Sequence, residues 1–192
     1  MMADRRHVLS LLLTGLASPA MAQTQSMRGS AMSPVTAYAF SFAGLQGDSI
    51  RLSDYAGKPI MVVNTASLCG YTPQYTGLER LYTRYHARGL LLVGVPSNDF
   101  GGQEPGDATE ISATANNEYG VTFALTAKAD VVGPNAHPFY KWAAGERPHD
   151  TPKWNFHKYL VGRDGHIAAV FASAVEPTDT RVIDAIGREL GG

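Results

Sequence analysis

Two continuous apolar runs dominate the hydrophobic pattern of the chain. Lys58 to Thr65 reads Lys-Pro-Ile-Met-Val-Val-Asn-Thr. It shows no polar alternation, which predicts a strand buried on both faces. Leu90 to Val95 is a second run of the same kind. Between them, Tyr75, Leu78, Leu81, Tyr82 and Tyr85 recur on one face at helical spacing. That pattern predicts a helix from about Gln74 to Arg88, and Gly89 is placed to stop it. The result is a βαβ unit. A turn of mostly small residues, Ala66-Ser67-Leu68-Cys69-Gly70-Tyr71-Thr72-Pro73, sits at its first junction.

Beyond this unit the elements are shorter. A Gly- and Pro-rich loop runs from Asn98 to Gly106. Asp107, with Glu110 three residues on, reads as a capping box that opens a helix to about Tyr119. A strand is expected near Thr126–Val132 and a helix near Ala136–Ala144. His157–Val161 and Ile167–Phe171 flank Arg163-Asp164-Gly165, a hairpin turn signal. A last helix is expected from about Thr178 to Leu190. Periodicity alone therefore predicts an α/β sandwich.

The first residues read differently. Arg5-Arg6 precedes a short apolar run, Val8 to Ala17, and Ala20-Met21-Ala22 follows in A-x-A form. This is the pattern of a secretory signal peptide. The run is interrupted by Ser10, Thr14 and Gly15 and is shorter than the ~20 apolar residues a membrane span needs. The Arg pair also resembles a twin-arginine signal, although Asp4 and Val8 depart from the usual flanks. Residues 1–22 are thus expected to be a signal peptide, by either export route. Residues 23–36 are expected to be a flexible linker, and 37–192 the folded domain. The chain is expected to be exported, to a periplasmic or secreted location, with no stable membrane insertion after cleavage.

Composition narrows the function. Sixteen Lys+Arg against 17 Asp+Glu give a net charge of −1, which excludes a strongly basic nucleic-acid binder. A single cysteine among 192 residues excludes an internal disulfide and a cysteine-rich metal site. The six His show no metal-ligand spacing, and His86 and His166 read as solvated.

That cysteine is the chemical candidate. A free Cys is often only a small buried hydrophobe. Cys69, however, falls where a buried strand meets a helix, and unpaired N–H groups there stabilise an anion. A thiolate is the form that attacks a peroxide O–O bond and becomes sulfenic acid.

Asn64-Thr65-Ala66-Ser67-Leu68-Cys69-Gly70-Tyr71-Thr72-Pro73-Gln74-Tyr75 resembles the active-site segment of the glutathione peroxidase family. Phe100-Gly101-Gly102-Gln103-Glu104-Pro105-Gly106 resembles its second signature, and Lys153-Trp154-Asn155-Phe156-His157-Lys158-Tyr159-Leu160-Val161 its third. The resemblance covers Ala37 to the C-terminus. It implies a thioredoxin-like fold, with a central mixed β-sheet flanked by helices. It also implies a peroxidase in which Cys69 is the peroxidatic residue and Gln103, Trp154 and Asn155 surround it. The Gln amide and Trp indole can donate toward a thiolate or developing oxyanion. Asn155 can do the same, or help relay a proton to the leaving group. His157 and Lys158 read as structural or surface residues.

Three departures from the family bear on partners. Thioredoxin-using members carry a second cysteine at a position equivalent to about Asn116, and none stands here. Resolution by an external thiol follows, from glutathione or a thioredoxin-like protein, with no bound cofactor. Ala169-Val170-Phe171-Ala172 lacks the Arg usual in glutathione-using members. The short segment between Trp142 and Lys153 resembles the monomeric, open-site branch, which implies organic and lipid hydroperoxides as substrates beside hydrogen peroxide. The rival readings are a redox sensor forming a mixed disulfide through Cys69, a peroxiredoxin-like oxidoreductase, and an inert buried thiol.

Overall fold

The computed structural model describes residues 34–191, together with Met1. The expected signal peptide therefore lies outside the described residues except for Met1, as does most of the expected linker. A five-stranded mixed sheet in the order β5-β4-β3-β6-β7 forms the centre. Its strands are β3 (Ile60–Thr65), β4 (Leu91–Pro96), β5 (Ala124–Leu125), β6 (Lys158–Val161) and β7 (Ile167–Phe171). β3 pairs parallel to β4 and antiparallel to β6, so the βαβ half and the hairpin half meet along β3.

β3 is buried along its whole length because both faces are covered. Met61 and Val63 point into one core with α1 (Gln74–Tyr85) and α4 (Thr180–Glu189). Ile60 and Val62 point into a second core with α3 (Pro138–Glu146). The period-2 alternation of a strand thus feeds both layers from one apolar run. α1 begins at Gln74 as expected, and Gly89 ends the following 3₁₀ turn at φ 111°. Glycine adopts this conformation without the steric cost other residues carry.

The sequence reading missed a short hairpin, β1 (Ser41–Ala43) with β2 (Ser49–Arg51). It places Phe42 and Ile50 on the second core. One expectation is corrected and one is refined. The strand expected over Thr126–Val132 is only β5, two residues long, followed by a single bridge between Gly44 and Thr126. β4 ends at Pro96, which has no N–H to extend the ladder. The Asp99 carboxylate instead accepts from the amides of Val131 and Val132 at 2.6 and 3.0 Å. The helix expected to Tyr119 does run to Glu118, but only α2 (Ala108–Ser112) is α-helical. It then widens into π-helical turns over Ala113–Glu118, where the Tyr119 amide reaches the Thr114 carbonyl.

Candidate active site

Cys69 lies in the turn after β3, and its residue is 7% exposed. Thr72 builds that turn. Its hydroxyl accepts from the Cys69 amide at 3.0 Å and lies 2.9 Å from the Ala66 carbonyl and 2.7 Å from that of Cys69. The Tyr71 amide donates to Cys69 Sγ at 3.4 Å. The sequence reading expected the first helical amides to serve the sulfur. α1 starts five residues later, and the N–H group on the sulfur belongs to the preceding turn.

The loop carrying Gln103 follows β4 and is tied to the cysteine turn by a 3.0 Å bond from the Leu68 amide to the Gln103 carbonyl. Gly101 and Gly102 both take positive φ just before it. A Cβ at Gly101 would meet the Trp154 ring at 3.4 Å, so the loop passes close beneath the indole.

Trp154 and Asn155 sit on the turn that enters β6. Asn155 is fully buried, and its Nδ2 donates to Gln103 Oε1 at 3.0 Å. That bond occupies the Gln103 carbonyl oxygen and leaves the amide N–H groups as its donors. Trp154 is 39% exposed, with its ring 6.0 Å from that of Phe100. The structure therefore brings Gln103, Trp154 and Asn155 together and ties their loop to the cysteine turn. Among the described residues, no hydrogen bond joins Cys69 Sγ to these three side chains; the bond to sulfur comes from Tyr71.

Two buried polar residues that the sequence reading left without a site role hold this turn. Asn64, inside β3, donates from Nδ2 to the Trp154 carbonyl at 3.1 Å and accepts at Oδ1 from the His157 amide at 3.1 Å. Lys158 is fully buried, and its Nζ donates to the Phe156 carbonyl and to Gln74 Oε1, each at 2.7 Å. Their signal was present in the sequence: a polar side chain inside a run that is otherwise buried and apolar.

The titratable groups around the site are displaced mainly by burial. The His157 imidazole is pushed down to about 4 by burial and by the neighbouring Lys158 charge. Burial lowers the Lys158 ammonium to about 7, opposed by Glu176. Glu104, next to Gln103 and 1% exposed, has its carboxyl raised by burial. His157 and Lys158 are thus structural core residues and not surface ones. His166, expected to be solvated, pairs with Glu146 at 3.0 Å, the two side chains being 16% and 10% exposed. His86 is exposed and stacks on Tyr82.

A groove of about 590 Å³ opens beside the indole, lined in part by Tyr71, His149, Lys153, Trp154 and Ala172. It reaches the site through Trp154 and Tyr71, and Cys69 and Gln103 are not among its lining residues.

A mixed sheet between helix layers, with a lone thiol at the first strand-to-helix turn, defines a protein of the thioredoxin fold. The same fold recurs in a thiol:disulfide interchange protein of the thioredoxin family from Chlorobium tepidum. That structure has a TM-score of 0.61 at 14% identity, over 79% of this chain and 93% of that one. The crystal structure of T. cruzi GPX1 has a TM-score of 0.65 at 27% identity, over 82% and 98%.

The glutathione peroxidase family model matches residues 37–144. A hydroperoxy fatty acid reductase of Synechocystis sp. is 43% identical over 153 residues, 75% of this chain and 90% of that protein. A glutathione peroxidase of Lactococcus lactis subsp. cremoris is 44% identical over 145 residues, 74% of this chain and 92% of that protein. The chain belongs to the glutathione peroxidase family. It is a thiol peroxidase, with a hydroperoxide as substrate and a thiol as reductant.

Proposed function

We propose that Cys69 is the peroxidatic residue and that each cycle is completed by an external thiol. The observation that carries this is the cysteine count. A thiol peroxidase needs a nucleophilic sulfur, and the chain has one cysteine. The Cys69 thiolate attacks one peroxide oxygen, the O–O bond breaks, and the other oxygen leaves with a proton as water or an alcohol. Sulfur gains the oxygen and becomes sulfenic acid. An incoming thiol displaces water to form a mixed disulfide, and a second thiol releases Cys69 as its own disulfide forms. Gln103, Trp154 and Asn155 offer neutral donors to the charge that develops at the reacting atoms. No bound cofactor is needed for this balance.

The groove beside Trp154 supports organic and lipid hydroperoxides as substrates, in keeping with the Synechocystis relative's name. The segment at residues 5–22 supports export to the periplasm or beyond, and the mature protein is proposed to act as a monomer. The test is turnover with excess reductant, using glutathione and a thioredoxin-like protein in separate arms. Sustained peroxide consumption that Cys69→Ser abolishes is expected. One equivalent of peroxide consumed, followed by arrest with either reductant, would instead make Cys69 a sensor.

A further inference from the structure

Phe156 is the one non-glycine with positive φ among the described residues, at 65°. A bulky residue rarely adopts this conformation and persists only where its surroundings impose it. Here they do. The Phe156 amide donates to the Asn64 carbonyl at 2.6 Å, and its carbonyl accepts from Lys158 Nζ. The Phe156 ring packs edge-on to Tyr75 of α1 at 5.3 Å. The twist at Phe156 sets the direction in which the chain presents Trp154 and Asn155, the two residues before it.

Lys158 does more than satisfy one carbonyl. Its second bond runs to Gln74 Oε1, and Gln74 Nε2 donates to the Ser173 carbonyl at 2.8 Å. Gln74 opens α1, directly after the cysteine turn, and its amide donates to the Tyr71 carbonyl at 2.9 Å. Tyr71 is the residue whose amide reaches Cys69 Sγ. One buried nitrogen therefore bridges the strained turn of Trp154–Asn155 to the segment that carries the sulfur.

We propose that Lys158 and Gln74 form a buried clamp that positions the Trp154–Asn155 turn against the Cys69 turn, so that Lys158 is a positioning residue of the peroxidatic step. This rests on the reading of Cys69 as the nucleophile. A simple scaffold would place an apolar side chain at a fully buried strand position, because a buried ammonium is costly to desolvate. The nearby charged and titratable groups are His157, the residue just before β6, and Glu176, whose charge favours the ammonium.

The experiment uses a Trp142→Phe background, which leaves Trp154 as the only tryptophan. Lys158→Met, Gln74→Leu and the double variant are mixed with peroxide. The rate of Cys69 oxidation and the acrylamide quenching of Trp154 are both read. Each single variant is expected to slow oxidation about 10–100-fold, the scale of a small misplacement of reacting groups, and to raise quenching. The double variant is expected to lose clearly less than the product of the two single losses, because the Lys158–Gln74 bond is common to both. Lys158→Gln, which keeps a donor, is expected to recover part of the rate.

Folded single variants with the background's rate and quenching would overturn the clamp, as would effects that multiply. If none of the variants folds, Lys158 serves stability alone and the proposal falls. Cys69→Ser in the same assay separates the two readings. Unchanged peroxide consumption there would overturn the role of Cys69 itself.

Discussion

Asn155 Nδ2 donates to Gln103 Oε1 across 3.0 Å, joining the turn before β6 to the loop after β4. The two residues are 52 apart in sequence, and each fixes the amide of the other. Gln103→Ala and Asn155→Ala are each expected to slow peroxide reduction about 10²-fold, the scale for removing one donor from a charge-stabilising site. The double variant is expected to lose little more, because residues that act as a unit are not additive. A double-mutant cycle on the oxidation rate checks this. Fully multiplicative losses would mean that the two amides work independently.

Asn64 fastens the same turn from β3. Asn64→Ala removes two side-chain bonds and leaves the Trp154 carbonyl and the His157 amide without them. A loss of about 2–4 kcal/mol is expected, since each orphaned buried group costs about 1–3 kcal/mol. Urea unfolding measures it, and a loss no larger than that of an exposed Asn would contradict the assignment.

Burial of two basic groups gives the stability a defined pH dependence. His157 is lowered from 6.5 to about 4, and Lys158 from 10.5 to about 7. Between each pair of values the unfolded chain binds more protons than the folded one, so stability rises with pH through both windows. The penalty from His157 is fully present below about 4, and that from Lys158 below about 7. Unfolding midpoints measured against pH are expected to lose the lower slope in His157→Phe and the upper slope in Lys158→Met. Slopes that survive both substitutions would place the titrations elsewhere.

The capping box predicts a local effect. Asp107 accepts from the Thr109 and Glu110 amides at 2.8 and 3.1 Å, and Glu110 returns a bond to the Asp107 amide at 3.0 Å. Asp107→Ala is expected to cost about 1 kcal/mol of stability. The oxidation rate is expected to stay unchanged, because the cap lies outside the site. Thermal unfolding and the peroxide assay together check both halves.

What could be read from the sequence follows the length and regularity of each signal. α1 showed five apolar residues on one face and a terminal glycine, and β3 and β4 were unbroken apolar runs. The capping box was a four-residue pattern with its own chemistry. The β1–β2 hairpin gave no usable period, because each strand is three residues with one buried side chain. β5 was misread because Asp99, distant in sequence, captures the amides that a longer strand would have used.

Cys69, Gln103, Trp154 and Asn155 were named through family-like motifs, and no single spacing would have joined them. Asn64 and Lys158 were overlooked as site residues because each stands inside a strand pattern and was absorbed into it. Their roles depend on partners some 90 residues away for Asn64 and 84 for the Lys158–Gln74 bond.

The central claim is that Cys69 carries out peroxide reduction, and stopped-flow oxidation of the reduced protein tests it most directly. The chain and its Cys69→Ser variant are mixed with hydrogen peroxide and with an organic hydroperoxide, and tryptophan fluorescence is followed. The account predicts a second-order change far faster than that of free cysteine with both peroxides, absent in Cys69→Ser, with sulfenic acid trapped on Cys69. A rate equal to that of free cysteine, or an undiminished reaction in Cys69→Ser, would contradict it.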